Sequence, residues 1–174
     1  MDRNEVIDRL KSLMKLDYDA VLAYNMACDN VRTREVRGML QEFRRHHERH
    51  VKDLGDAIRR EGGEPFELSK GVRGVFLEGM TAVTKEMGER AVLRACETGE
   101  KYMNYKYGQA AVEKFRLPIA EFIKRNYADE RRHLSYVEKR LTVTTARWGI
   151  GKTIGIGAVG AAAGVALWRR IASR

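Results

Sequence analysis

The sequence predicts an all-α protein, a four-helix bundle with a long crossover between its second and third helices and a hydrophobic Gly/Ala-rich helix at its C-terminus. Only two prolines, Pro65 and Pro118, interrupt a 174-residue chain rich in helix-favouring residues. Apolar residues recur three and four positions apart along its long segments, as they do on one face of an amphipathic helix. The two halves of the chain also repeat each other, which is typical of a symmetric bundle.

The helix boundaries follow from local start and stop signals. Thr33 can cap the second helix, and Gly62-Gly63 followed by Glu64-Pro65 is a typical helix end. Pro118 is tolerated in the first turn of the fourth helix, where its missing N–H loses no bond. The predicted elements are a first helix over about 3–30, a second from Thr33 to Gly62-Gly63, a crossover over 64–87 with a short helix near Val75–Met87, a third helix over about 88–114 and a fourth from Pro118 to about Leu141.

The distribution of charge argues against a nucleic-acid function. The formal charge is +9, but residues 142–174 contain five basic residues and no acidic one, which leaves +4 for the bundle domain, residues 1–141. Acidic side chains also interrupt the arginines of the second helix, so the mixed charge there predicts a solvated face. We therefore expect no nucleic-acid partner.

The cysteines and the N-terminus indicate a reducing compartment. Cys28 and Cys96 are too few for a disulfide scaffold, and each lies among helical residues, where a free cysteine is usually a small buried side chain. The first residues, Met1 to Glu5, show no apolar stretch typical of an export signal. These features predict a bundle domain in the cytoplasm.

An internal repeat brings polar residues into register. Shifting the chain by 83 residues aligns, in both halves, an acidic residue, a tyrosine seven residues later and a histidine 33 residues after the acid. Two helix pairs joined by a long crossover then form a bundle with approximate two-fold symmetry, with the matched polar residues facing one another. The aligned pairs are Asp17 with Glu100, Tyr24 with Tyr107, Ala27 with Ala110, His47 with Glu130, and His50 with His133.

The repeated polar residues predict a metal centre for two ions. Two residues three apart on a helix share a face and can contact one ion, and such a pair occurs in the second and in the fourth helix. With one acidic residue from each remaining helix, the set has three carboxylates and three imidazoles, which suit iron, manganese or zinc. The predicted ligands are Asp17, His47, His50, Glu100, Glu130 and His133.

Polar residues beside these positions receive different interpretations. Tyr24 and Tyr107 lie two turns from the acids and are candidate catalytic residues, either bonded to a ligand carboxylate or acting as redox-active phenols; ordinary core tyrosines are the alternative. His46 is one position away from the inward face and is expected to be solvated. Solvated charges are also expected for Asp19, Glu48, Glu97 and Asp129.

Four groups of residues carry a family resemblance: Leu16-Asp17-Tyr18-Asp19-Ala20 with Tyr24, His47-Glu48-Arg49-His50 with Gly62-Gly63-Glu64-Pro65, Glu100 with Tyr107, and Asp129-Glu130-Arg131-Arg132-His133-Leu134. Over about residues 5–141 the chain resembles the ferritin-like superfamily, in particular small bacterial ferritin-like proteins related to rubrerythrin. In that superfamily each of two helices gives a Glu ligand, and each of the other two gives a Glu-x-x-His. By that pattern Glu100, Glu130, His50 and His133 are standard ligands.

Two positions depart from the superfamily pattern. Asp17 stands where the superfamily usually has Glu, and His47 stands where its second motif expects Glu. With three carboxylates instead of four, two divalent ions would leave a net positive charge, so the ion beside His47 is expected to bind more weakly. A mononuclear or zinc site is therefore an alternative.

The resemblance implies a ferroxidase- or peroxidase-type di-iron protein. Such a protein oxidises Fe(II) or consumes peroxide or oxygen, in iron homeostasis or in the response to oxidative stress; manganese or zinc are the alternative metals. A different class of function also stays open. It is a structural or membrane-associated scaffold, in which a degenerate bundle keeps its polar core and the tail drives self-assembly.

Residues 148–168 are predicted to be a membrane segment. Tryptophan stands at both ends, arginine lies outside each end, and the residues between are mostly Gly, Ala, Ile and Val. The 21 residues are long enough to cross a bilayer, which would hold the bundle at the inner face of a membrane. Glycines spaced four apart also allow close helix packing, so a glycine-zipper helix in a homo-oligomer, or one docked on a protein shell, is the alternative.

Overall fold

The computed structural model describes residues 1–67, 74–83 and 87–148, with side chains described as far as Val143. All regular secondary structure in this part of the chain is helical, which confirms the predicted all-α fold. The helices are α1 (Arg3–Asn30), α2 (Arg34–Arg60), α3 (Val75–Thr81), α4 (Gly88–Ala110) and α5 (Leu117–Trp148).

Four long helices form the bundle, and the short α3 lies across one side of it. α1 packs along α2, and α4 packs along α5. Contacts of α1 with α4, and of α2 with α5, close the ring, while α3 packs against both α1 and α4. Each helix pair is joined by a short connection, and the crossover that contains α3 links the two pairs.

Local hydrogen bonds fix the start of α1 and the end of α2. Asp2 caps α1, because its Oδ1 accepts a hydrogen bond from the Glu5 N–H at 2.8 Å and the Glu5 carboxylate accepts one from the Asp2 N–H at 2.7 Å. At the end of α2, Gly62 has a φ of +79°, which glycine adopts without steric cost. The next N–H, that of Gly63, donates to the Ile58 carbonyl at 2.9 Å, so the predicted helix end is confirmed.

Three boundaries differ from the prediction. The fourth long helix does not end near Leu141 but continues to Trp148, since no glycine or proline interrupts residues 142–148. The third long helix ends at Ala110 rather than near residue 114. The short crossover helix ends at Thr81, several residues before Met87.

The predicted C-terminal helix and its membrane segment, residues 148–168, lie outside the described residues except for Trp148 at the end of α5. They therefore stay predictions. Among the residues that the structure describes, no helix combines the length and apolar character needed to cross a bilayer.

The bundle encloses a continuous apolar core. Leu10, Leu54 and Leu93, from three different helices, are fully buried in it. Cys28 and Cys96 are also buried and form no disulfide, as expected of small core side chains. Burial raises the pKa of both thiols, so they stay protonated.

Candidate metal centre

The structure brings all six predicted ligands together near the middle of the four long helices. One comes from each of α1 and α4, and two come from each of α2 and α5; all six side chains are fully buried. They form two adjoining groups, and within each group one potential ligand atom from every member lies within 4.8 Å of the others. The first group is Asp17, His47, His50 and Glu130, and the second group is His47, Glu100, Glu130 and His133.

The first group is the more compact of the two. Asp17 Oδ1 lies 2.9 Å from Nδ1 of His47 and 3.0 Å from Nδ1 of His50. The same nitrogen of His50 lies 3.3 Å from Oε1 of Glu130. These atoms converge on one small volume, which a metal ion could share.

The second group has the same plan with longer separations. Glu100 Oε1 lies 3.7 Å from Nε2 of His47 and 3.6 Å from Nδ1 of His133. That nitrogen of His133 lies 3.9 Å from Oε2 of Glu130. His47 therefore turns Nδ1 toward Asp17 of the first group and Nε2 toward Glu100 of the second group.

Several of these atoms have no hydrogen-bond partner among the described residues. A buried polar atom without a partner is costly, and a buried carboxylate more so. A cation between the two groups would pair with all of them, so the residues fit a metal centre. The atoms are Nε2 of His47, Oε2 of Glu100, both carboxylate oxygens of Glu130 and Nδ1 of His133.

The two predicted catalytic tyrosines contact ligand carboxylates from opposite halves of the repeat. Tyr107 donates a hydrogen bond to Oδ2 of Asp17 at 2.5 Å, and Tyr24 donates one to Oε1 of Glu100. Burial, reinforced by the adjacent carboxylates, raises the pKa of both phenols well above 10.0. Both hydroxyls therefore stay protonated and act as donors.

Two residues that were expected to be solvated contact two of the predicted ligand histidines instead. His46 Nδ1 lies 2.9 Å from Nε2 of His133, and only 17% of the His46 side chain is exposed. Asp129 is almost fully buried, and its Oδ2 lies 3.1 Å from Nε2 of His50. Each residue precedes a ligand by one position, which turns its side chain sideways into the seam between α2 and α5. The repeat contains the missed signal, because His46 and Asp129 are also 83 residues apart.

The expectation for Asp19 was also wrong. Its carboxylate is buried and accepts hydrogen bonds from the backbone N–H groups of Gly74 at 2.7 Å and Phe76 at 3.0 Å. It therefore fixes the start of α3 against α1, a contact that no periodic pattern in the sequence marks. Glu48 and Glu97 pair with basic side chains of their own helices.

The carboxylates and imidazoles of the candidate site shift one another's pKa values. Burial raises the pKa of Asp17, but His50 and His47 outweigh it and bring that pKa below 3.8. In Glu100, His133 and His47 likewise overcome the effect of burial and lower the pKa, whereas burial prevails in Glu130 and raises its pKa.

The pKa values of His47 and His50 are raised, opposite to those of Asp17 and Glu100. Burial lowers the pKa of His47, but Glu130 and Asp17 outweigh burial and raise it to about 10. The pKa of His50 is also raised well above 6.5, since the charge of Asp17 overcomes burial. A divalent cation bound here would therefore compete with protons for the same buried atoms.

Comparisons with known proteins identify the family and the fold. A comparison with curated protein sequences gives no match. Among solved structures, the chain is similar to a dodecameric thioferritin, the bacterioferritin-related protein of Bacteroides fragilis. The TM-score is 0.72 at 16% sequence identity, over 87% of this chain and 94% of that chain. The family described as a domain of unknown function, DUF2383, matches residues 5–113, from α1 through α4. The chain therefore belongs to the DUF2383 family, and its fold is ferritin-like.

Proposed function

We propose that the chain is a ferritin-like di-iron oxidoreductase that oxidises Fe(II), or consumes peroxide or oxygen, in iron homeostasis or oxidative stress. The observation that carries the proposal is the pair of adjoining buried groups with unpartnered ligand atoms. The ferritin-like fold supports it, because in that fold paired carboxylates and histidines on facing helices hold two ions.

The six buried side chains have distinct tasks in this proposal. Asp17 and His50 would hold the ion of the first group, and Glu100 and His133 that of the second. Glu130 and His47 belong to both groups, so each would help to hold either ion. Bound iron would supply the electrons that reduce peroxide, two Fe(II) giving one electron each as peroxide takes up two protons and yields two waters.

The surrounding residues orient the ligands and keep water out. Phe43 stacks on the His133 ring with 4.2 Å between centroids, and Tyr24 stacks on the His47 ring at 5.5 Å. The hydrogen bonds of Tyr24 and Tyr107 hold the carboxylates of Glu100 and Asp17. A buried, pre-oriented ligand set supports redox chemistry without requiring the protein to rearrange.

Turnover in site variants tests this function. The full chain is loaded anaerobically with Fe(II) and then given oxygen or peroxide, while ferric absorption and peroxide loss are recorded. We expect Glu130→Ala and His133→Ala to slow both reactions by more than the roughly tenfold to 100-fold that loss of an outer partner of a metal ligand causes. Glu138→Ala is the matched control, because Glu138 lies on the same helix and its side chain is 49% exposed.

Unchanged turnover in both site variants would contradict the proposal. If deletion of residues 142–174 then abolished self-association without affecting turnover, the scaffold interpretation would be favoured.

We also propose that the chain forms a homo-oligomer. The thioferritin with the similar fold is dodecameric. Tyr105, Val112 and Leu117 are large apolar side chains with more than half of their surface exposed around the end of α4 and the start of α5, which suits a contact between copies. Sedimentation velocity of the full chain tests this, and a monomer at all concentrations would contradict it.

A further inference from the structure

We propose that the first group binds its ion more tightly than the second group does, and that Asp129 and His46 set this difference. The inference rests on the proposed metal centre and goes beyond it, because it assigns roles to two residues that are not ligands. It also predicts an order of loading for the two ions.

The two histidine ligands are placed alike but have unlike partners. His50 turns Nδ1 to Asp17 at 3.0 Å and Nε2 to the Asp129 carboxylate at 3.1 Å. His133 turns Nδ1 toward Glu100 at 3.6 Å and Nε2 to the His46 ring at 2.9 Å. Asp129 and His46 thus occupy equivalent positions in the two halves of the bundle, one an anion and the other an imidazole.

The nature of this partner changes the strength of the ligand. A histidine that binds an ion through Nδ1 keeps its proton on Nε2 and donates it to the partner. A carboxylate acceptor makes the ring a better donor to the ion, and outer partners of this kind change metal affinity by roughly tenfold to 100-fold. His46 can accept the same proton only as a neutral ring, which gives His133 less support than Asp129 gives His50.

The surroundings of the two partners reinforce the difference. Arg49 and Arg132 both donate to the Asp129 carboxylate and hold it in place against His50. The outer nitrogen of His46, Nε2, lies 3.9 Å from the carboxylate of the half-exposed Glu42.

Distance favours the first group as well. Three of its imidazole-to-carboxylate separations are 2.9 Å, 3.0 Å and 3.3 Å, and its fourth, from His47 to Glu130, is 3.6 Å. The separations that involve Glu100 or His133 in the second group are 3.6 Å to 3.9 Å. Arg49 and Arg132 offset the charge of Asp129, so its contribution to the first group is the carboxylate acceptor that it places against Nε2 of His50. At limiting metal the chain would therefore carry one ion, in the first group, and the second group would take up and release its ion more readily.

A Co(II) titration of the metal-free full chain against a competing chelator tests the inference. The titration is anaerobic, so Co(II) is not oxidised, and its visible absorption reports each binding step. The wild-type chain should bind in two phases that differ by at least roughly tenfold in affinity. His46→Asp should tighten the second phase by roughly tenfold and leave the first unchanged, because Asp129 already reaches its histidine from the equivalent position.

The reciprocal variant and a control complete the experiment. Asp129→His should weaken the first phase by roughly tenfold, and Glu48→Gln, an exposed change on α2, should alter neither phase. A merely structural role for His46 cannot explain a gain in affinity, since damage to the fold weakens binding.

Two equal phases in the wild-type chain, or a second phase that His46→Asp does not change, would overturn this inference while leaving the metal centre in place. No bound Co(II) in the wild-type chain would overturn the metal centre itself.

Discussion

Tyr107 on α4 donates a hydrogen bond across the bundle to Asp17 on α1, at 2.5 Å. The reciprocal bond runs from Tyr24 on α1 to Glu100 on α4. Each tyrosine therefore supports the carboxylate of the other half, and the two bonds connect α1 to α4 in the interior of the bundle. These two bonds therefore contribute to the free energy of folding as well as to the geometry of the candidate metal centre.

Tyr107→Phe should lower the free energy of unfolding by about 1.5–3 kcal/mol, since a buried hydrogen bond to a charged group is lost. Urea unfolding followed by circular dichroism measures it. Tyr105→Phe, at a side chain that is 52% exposed, is the control and should stay within about 0.5 kcal/mol of wild type. An unchanged free energy in Tyr107→Phe would show that the bond contributes nothing.

Asp19→Ala should loosen α3 specifically. The change leaves the backbone N–H groups of Gly74 and Phe76 without their carboxylate acceptor, at a cost of about 1–2 kcal/mol. Hydrogen exchange of residues 75–81 should quicken, while the centre of α2 keeps its protection. Asp29→Ala, an exposed change on the same helix as Asp19, is the control. Equal protection of α3 in wild type and Asp19→Ala would contradict this role.

Gly99→Ala should destabilise the bundle by about 1–3 kcal/mol, because the added methyl group would overlap the ring of Phe76 where α3 packs on α4. Gly38→Ala is the matched change, since Gly38 lies in α2 with no side-chain atom within 4 Å of the added carbon. It should stabilise the chain by about 0.5–1 kcal/mol. Thermal unfolding distinguishes the two, and a Gly99→Ala variant as stable as wild type would mean that α3 does not pack there.

His47→Glu should make the chain more dependent on metal. Without metal the fourth carboxylate is repelled by Asp17, Glu100 and Glu130, so the melting temperature should fall below that of wild type. With Mn(II) the same carboxylate adds a ligand charge, so the rise in melting temperature on adding Mn(II) should exceed the wild-type rise. An equal rise in both proteins would show that His47 and Glu are equivalent at this position.

The sequence predicted the helices and the partners of the site because both depend on periodic patterns. Spacings of three and four place His47 with His50, and Glu130 with His133, on one helix face, and the 83-residue repeat pairs those faces across the bundle. Spacing along one helix and a repeat between two halves are both visible in the sequence itself. Neither requires knowledge of how the helices pack.

The missed contacts depend on how neighbouring helices pack. His46 and Asp129 lie at the side of their helices, and whether such a side chain meets solvent or another helix depends on the α2–α5 packing. Asp19 is buried only because the crossover folds back over α1, and no periodic pattern marks a crossover. The extension of α5 to Trp148 has a simpler cause, since Val143, Thr144 and Thr145 disfavour a helix without stopping one.

The iron content of the full chain tests the central claim most directly. The chain is loaded anaerobically with Fe(II), freed of unbound metal and measured by elemental analysis beside Glu130→Ala, His50→Ala and the exposed control Glu138→Ala. The di-iron centre predicts about two irons per chain in the wild type and the control, and loss of iron in both site variants. A single zinc, or no metal in a chain that keeps its helices, would contradict it.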